Sequence, residues 1–152
     1  MAAPSKSKPK PKPKPKWVID LHGIKEALTS RSNAKARIID AIKSGEMVVM
    51  RSVQEELCAA FPEIWPDFVM IKPKKYQDTP MAVYDAAGQL QGMHGSSLLG
   101  GIPDFAHFEA VALARSMKCK LISAGKALTH CKSIARKCGI PAADIAEISA
   151  VA

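Results

Sequence analysis

Long apolar runs are missing from this sequence of 152 residues. Its apolar stretches fall far short of the roughly 20 residues that a helix needs to cross a bilayer. The N-terminus also lacks the apolar segment of a secretion signal. We therefore expect a cytoplasmic protein that does not engage a membrane.

Paired cysteines are missing as well. The chain has no CxxC pair and no histidine spacing typical of a zinc site. A disulfide framework or a metal-thiolate site is therefore not expected, and buried free thiols are the better interpretation. This interpretation covers Cys58, Cys119, Cys131 and Cys138.

Acidic residues are absent from the first 16 positions, and this absence explains most of the net charge of +8. The remaining residues hold 16 basic side chains against 14 acids, so they are nearly neutral. Alternating Lys and Pro favours an extended, solvated chain. We expect residues 1–16 to be a disordered basic tail and residues 17–152 to be a single domain. The tail either binds nucleic-acid phosphates or aids solubility, and its lysines are Lys6, Lys8, Lys10, Lys12, Lys14 and Lys16.

Apolar runs of strand length alternate with helical patterns along the rest of the chain. The predicted strands are 17–20, 47–50, 68–71 and 120–123, and the predicted helices are 22–29, 33–43, 52–61, 80–88, 103–118 and 126–138. Ser52 and Glu55 have the spacing of a capping box. The segment 88–101 is rich in Gly and Ser and is predicted to be a loop that can include short helical turns. The alternation predicts a three-layer α/β/α domain with a central, mainly parallel sheet.

The stretch WVIDLHGIKEAL places Asp20 where the first strand ends. Ligands of open parallel sheets bind at the carboxyl ends of the strands. An Asp at this point can equally cap the next helix, so both interpretations stay open. Carboxylates gathered at this edge would suit a hard cation such as Mg²⁺ or Mn²⁺. The polar side chains expected to approach the same edge are Glu55, Glu56, Asp104, His107 and Glu109, of which Glu109 is expected to face elsewhere.

Four segments resemble the motifs of PIN-like domains, a ribonuclease fold found in many toxin–antitoxin toxins and RNA-processing nucleases. In family order they are WVIDLHGI, VVMRSVQEEL, FAHFEAVALARSMKCKLIS and HCKSIARKCGI. They span nearly all of the chain from residue 17 to about 140. The resemblance implies a PIN-like fold and an endoribonuclease that depends on Mg²⁺ or Mn²⁺. It also implies RNA as the substrate and an antitoxin protein or a second copy of the chain as partners.

The resemblance carries two acids over directly. Asp20 matches the first acid of the family, and Glu56, immediately before Leu57, matches the second. His107 stands where the family has its third acid, and Asp104, one turn earlier, is the candidate to replace it. Two metal ligands would thus be retained and a third substituted.

The fourth motif of the family reads as a strand, a Thr or Ser, any residue, and then an acid. Ser123 matches the hydroxyl residue, whereas Gly125 stands where the acid is expected. Each lost carboxylate weakens the affinity of such a site for a divalent ion. The resemblance therefore implies a reduced or altered site.

Three functions follow from these patterns. In the first, Asp20, Glu56 and Asp104 hold the metal of an endoribonuclease, which Ser123 supports by hydrogen bonds. In this function His107 is an additional candidate base, and the basic tail holds RNA. The second is an inactive PIN-like module that binds nucleic acid or protein. The third is an unrelated α/β domain in which Asp20 only caps a helix.

Overall fold

The computed structural model describes residues 14–94, 104–141 and 144–151. The predictions made for residues 1–13 and for the loop beyond residue 94 lie outside these ranges. Lys14 and Lys16 are thus the two tail lysines whose positions are described.

Five strands form one parallel sheet within the described residues. They are β1 (Trp17–Ile19), β2 (Met47–Met50), β3 (Tyr76–Gln77), β4 (Lys120–Ile122) and β5 (Ile145–Ala146). Their order across the sheet is β3-β2-β1-β4-β5. Trp17 therefore lies opposite both Met47 and Lys120. The strand order reverses direction between β1 and β4, which makes their carboxyl ends a topological switch point, where open sheets bind ligands.

Helices connect each strand to the next. They are α1 (Leu21–Thr29), α2 (Ala34–Ser44), α3 (Arg51–Ala60), α4 (Trp65–Val69), α5 (Met81–His94), α6 (Phe105–Met117) and α7 (Gly125–Lys137), followed by a 3-10 helix at Ile148–Val151. The helices α1 and α2 pack together and against the 3-10 helix, whereas α5, α6 and α7 form a second group. This three-layer α/β/α arrangement confirms the predicted fold class.

The strands are buried on both faces, which explains their continuous apolar runs. All four residues of β2 are buried, and Val18, Ile19, Leu121 and Ile122 are fully buried. Burying a side chain of this size stabilises the fold by about 1.5 to 3 kcal/mol. Within the described ranges, no helix has both the length and the apolar character needed to cross a membrane.

The expectation of buried thiols is wrong for Cys58, which is exposed, and three predictions of secondary structure are wrong as well. Residues 68–71 are not a strand, because Phe68 belongs to α4. Phe68 and Ile71 are both buried, and their spacing of three residues is that of one face of a helical turn. The predicted capping box does not form, because α3 begins at Arg51 after Met50, and no side chain caps it. The helix α5 continues to His94, beyond the point where a loop was predicted to begin.

Candidate functional site

Asp20 and Ser123 meet at the switch point of the sheet. Asp20 follows the last residue of β1, and Ser123 follows the last residue of β4. The Ser123 hydroxyl donates a hydrogen bond of 2.6 Å to Oδ2 of Asp20. The backbone N–H of Asp20 donates to the carbonyl oxygen of Ile122, at 3.2 Å. Two residues singled out from the sequence thus form one contact between neighbouring strands.

Asp20 is also the N-cap of α1. Its backbone is extended, and its Oδ1 accepts a hydrogen bond of 2.7 Å from the N–H of Gly23. Gly23 itself packs tightly, because a Cβ there would lie 2.7 Å from both the Ile122 carbonyl oxygen and Cγ1 of Ile19. The carboxyl group therefore joins β1, β4 and α1, and the capping interpretation is correct whatever else Asp20 does.

Burial dominates the electrostatics of Asp20, whose exposed fraction is 7%. It raises the pKa of the carboxyl group, while the bonds from Ser123 and Gly23 and the nearby His22 act in the opposite direction. The pKa of the fully buried Cys131 thiol lies well above its usual value, because of burial and then the charge of Asp20. Little solvent therefore reaches the carboxyl group.

Three histidines from three helices lie side by side in this region, and we call His22, His107 and His130 the histidine row. The ring centroids of His22 and His107 are 6.1 Å apart, and those of His107 and His130 are 5.3 Å apart. Burial lowers the pKa of His107, and the charges of His130 and His22 lower it further, while Asp104 acts in the opposite direction. Nδ1 of His130 is buried and has no hydrogen-bond partner among the described residues.

Sequence reasoning singled out His107 but missed His22 and His130. The available signal was that both stand in motifs of the PIN-like resemblance, His22 in the first and His130 in the fourth. It also missed Gly23, whose spacing of three residues from Asp20 fits the capping bond that is observed.

The other predicted acids are not bonded to Asp20 in the part of the chain that the structure describes. Glu56 on α3 and Asp104 at the start of α6 are both exposed. Glu109 is buried, and its Oε2 accepts a hydrogen bond of 2.7 Å from the Thr79 hydroxyl. Glu109 therefore faces the start of α5, and its charge raises the pKa of Tyr84.

The donors at the switch point do not fit a hard divalent cation. Both oxygens of Asp20 already accept hydrogen bonds, and burial favours the neutral carboxyl group. The nearby histidine row offers imidazole nitrogens, whereas Mg²⁺ prefers oxygen ligands. Across residues 14–94, 104–141 and 144–151, no group of three or more His, Cys, Asp or Glu side chains is placed to hold a metal ion. The metal role of Asp20, Glu56 and Asp104 stays a prediction.

The basic tail joins the domain at the opposite edge of the sheet. Lys14 and Lys16 are exposed and precede β1, whereas Asp20 follows it. Nζ of Lys16 lies 3.5 Å from Oε1 of Glu46, and both side chains are exposed, so this ion pair contributes little stability. The length of β1 therefore separates Lys14 and Lys16 from Asp20.

No family model matches this chain, and no curated protein was found to match it in sequence. The resemblance to PIN-like domains therefore depends on the four motifs alone.

Proposed function

We propose that this protein is a PIN-like module that binds nucleic acid and lacks the hydrolytic metal site of that family. The observation that carries the proposal is the environment of Asp20. Its contact with Ser123 joins the first acid of the resemblance to the hydroxyl residue of the fourth motif, yet a histidine and a glycine stand at the expected third and fourth acids.

Nucleic acid is the inferred partner because of where the positive charge lies. Six lysines precede a nearly neutral remainder, and they alternate with proline in a pattern that favours an extended chain. A run of this kind matches the regular negative charge of a phosphate backbone, and binding of this type is independent of sequence. We take RNA as the specific partner because the PIN-like resemblance implies it.

A titration of labelled single-stranded RNA, followed by fluorescence anisotropy at several salt concentrations, tests this function. We expect the logarithm of the association constant to fall linearly with the logarithm of the salt concentration. Polyglutamate is the control competitor. If it displaces RNA at an equal concentration of charge, the chain binds polyanions in general, and an acidic protein becomes the better partner.

A divalent-metal-dependent endoribonuclease is the second candidate, favoured by the contact between Asp20 and Ser123. In this function Asp20, Glu56 and Asp104 would hold Mg²⁺ or Mn²⁺, which activates water for phosphodiester hydrolysis. Ser123 would orient Asp20, and His107 would be available as a base. The toxin form of this function would add an antitoxin protein or a homodimer as partners.

Incubation of RNA with the protein and Mn²⁺ separates the two candidates. We expect no cleavage above that of a sample containing a chelator. Cleavage that requires Mn²⁺ and disappears in the Asp20→Asn variant would establish the nuclease and overturn the inactive module.

A further inference from the structure

A groove of about 720 Å³ lies at the amino ends of β1, β4 and β5, on the edge opposite Asp20. The chain entering β1 lines one part of it, and the end of α6 with the start of β4 lines another. We call it the amino-edge groove and define it by Lys14, Lys16, Trp17, Arg115, Lys118 and Lys120.

Positive charge dominates this groove. Five of the residues that line it are basic, whereas Asp144 is its one acidic residue. In the described parts of the chain, Lys16 is the member that forms an ion pair, and its partner, Glu46, lies outside the groove. All five basic side chains are exposed, so they are available to a ligand. A concave surface lined by one sign of charge concentrates counter-ions of the other sign.

Backbone hydrogen bonds fix the wall of the groove that the tail forms. The N–H of Lys16 donates to the Glu46 carbonyl oxygen at 2.7 Å, and the N–H of Lys120 donates to the Lys16 carbonyl oxygen at 3.0 Å. The Cys119 thiol donates to the carbonyl oxygen of Pro15 at 3.1 Å. Pro15 and Lys16 are therefore held in place, Lys14 lines the groove directly before them, and the remaining tail lysines precede Lys14 in the sequence.

An aromatic ring and apolar side chains complete the lining. Trp17 is half-buried, and Nζ of Lys120 lies 5.7 Å from the centroid of its ring. The apolar lining includes the partly exposed Ile140 and the buried Val111 and Ala114. Proteins that bind single-stranded nucleic acid combine such a basic groove with aromatic side chains.

We infer that the amino-edge groove binds the phosphodiester backbone of single-stranded RNA, an inference that rests on the proposed function. The basic lining together with the Trp17 ring favours a single strand, whose bases are free to stack on an aromatic side chain. The site of RNA binding is thus the edge of the sheet that does not contain Asp20. Length along β1 separates the two edges by only about 10 Å, so a longer RNA would be able to reach both.

Neutralising the groove tests the inference. The triple variant Arg115→Gln, Lys118→Gln and Lys120→Gln removes three groove charges from the full chain. Its matched control, Lys43→Gln, Lys126→Gln and Lys132→Gln, removes three exposed lysine charges outside the groove. We expect the groove variant to bind an oligouridylate of about 12 nucleotides at least about tenfold more weakly than the control. Its log–log salt slope should be smaller by up to about 2, at about 0.7 for each lost contact.

Tryptophan fluorescence reports directly on the groove. The chain has two tryptophans, and Trp65→Phe leaves Trp17 as the remaining one. We expect the oligouridylate to change the emission of Trp17 in this variant over the same concentration range in which it binds. Inorganic phosphate is the second probe, and an equal response at the same phosphate concentration would make the groove a small-anion site and overturn the inference.

The outcomes distinguish this inference from the proposed function. If the wild type binds RNA but the two triple variants bind it equally, the inference about the amino-edge groove is overturned, while the proposed nucleic-acid binding stands. If the wild type does not bind RNA, both are overturned. Melting temperatures of the two triple variants within about 3 °C of each other ensure that altered folding does not explain the result.

Discussion

Ser123 donates its hydroxyl hydrogen to Asp20 across the junction of β4 and β1, although 103 residues separate the two in sequence. The bond is 2.6 Å long and buried, so the partners are held without competition from water. Because Asp20 also caps α1, a single carboxyl group links two strands and a helix at the switch point. A change at this point therefore affects both the stability of the fold and the candidate site.

Asp20→Asn should raise the free energy of unfolding at pH 7. Burial raises the pKa of Asp20 above its ordinary value of 3.8, so the carboxyl group stabilises the fold below that pH, and this stability is lost as the pH rises. Asn retains an oxygen for the Gly23 N–H and gains a donor for Ser123. Urea unfolding at pH 7 and pH 4 measures the difference, which should shrink at the lower pH. A variant less stable than the wild type at pH 7 would show that the bonds to the charged form dominate.

His107→Gln should flatten the dependence of stability on pH below about 6.5. Burial and the charges of His130 and His22 lower the pKa of His107, so its contribution is present above that pH and is lost as the pH falls. Unfolding in urea between pH 5 and pH 7.5 compares the variant with the wild type. Parallel curves for the two proteins would contradict the expectation.

Gly23→Ala should lower the free energy of unfolding by about 1 to 3 kcal/mol. A Cβ at this position would press on the Ile122 carbonyl oxygen, which belongs to β4 and has little room to move. Gly88→Ala on α5 is the matched control, because its added Cβ meets nothing within 4 Å. The free energy of unfolding of this control should rise by about 0.5 to 1 kcal/mol, because Ala has a higher helix propensity than Gly. Equal effects at the two sites would mean that α1 does not pack as closely on the sheet as described.

Gly125→Asp restores the acid that the PIN-like resemblance implies, and we expect it to create a measurable response to Mn²⁺. Gly125 has φ +60, so any side chain there is strained, although space for a Cβ is free. Gly125→Ala carries the same strain. In the absence of metal, the free energy of unfolding of both variants should be lower than that of the wild type by about 1 kcal/mol. Melting temperatures with and without Mn²⁺ should differ for the Asp variant alone. If Mn²⁺ has no effect on it, restoring the fourth acid alone does not rebuild a metal site.

Replacing Lys6, Lys8, Lys10 and Lys12 by Gln should weaken RNA binding and reduce its log–log salt slope by up to about 3. This variant keeps the prolines and the length of the tail, so charge is the property that changes. It also keeps Lys14 and Lys16, whose backbone belongs to the wall of the amino-edge groove. Anisotropy titrations over a range of salt concentrations provide the measurement. An unchanged slope would identify residues 1–13 as a solubility or linker segment.

Much of the fold was predictable because local patterns report on local structure. The apolar run at 47–50, the Gly45 stop after α2 and the strand at 120–122 were all predicted within one or two residues. The run at 68–71 was not, because a short apolar stretch fits a buried helical turn as well as a strand. The strand in that place, Tyr76–Gln77, has two residues and no pattern of its own.

The sequence by itself determined the alternation of strands and helices, the division between a basic tail and a nearly neutral domain, and the position of Asp20 at the end of a strand. Only the tertiary structure decided which side chains surround Asp20. Ser123 and Cys131 approach it because strand order and helix packing are set by contacts between distant segments, whereas the bond from Gly23 is local to the start of α1. The same is true of the histidine row and of the amino-edge groove, whose members come from separate elements. Spacing along the chain specifies periodicity within one element, whereas the distance between two elements depends on how all of them bury their apolar surface together.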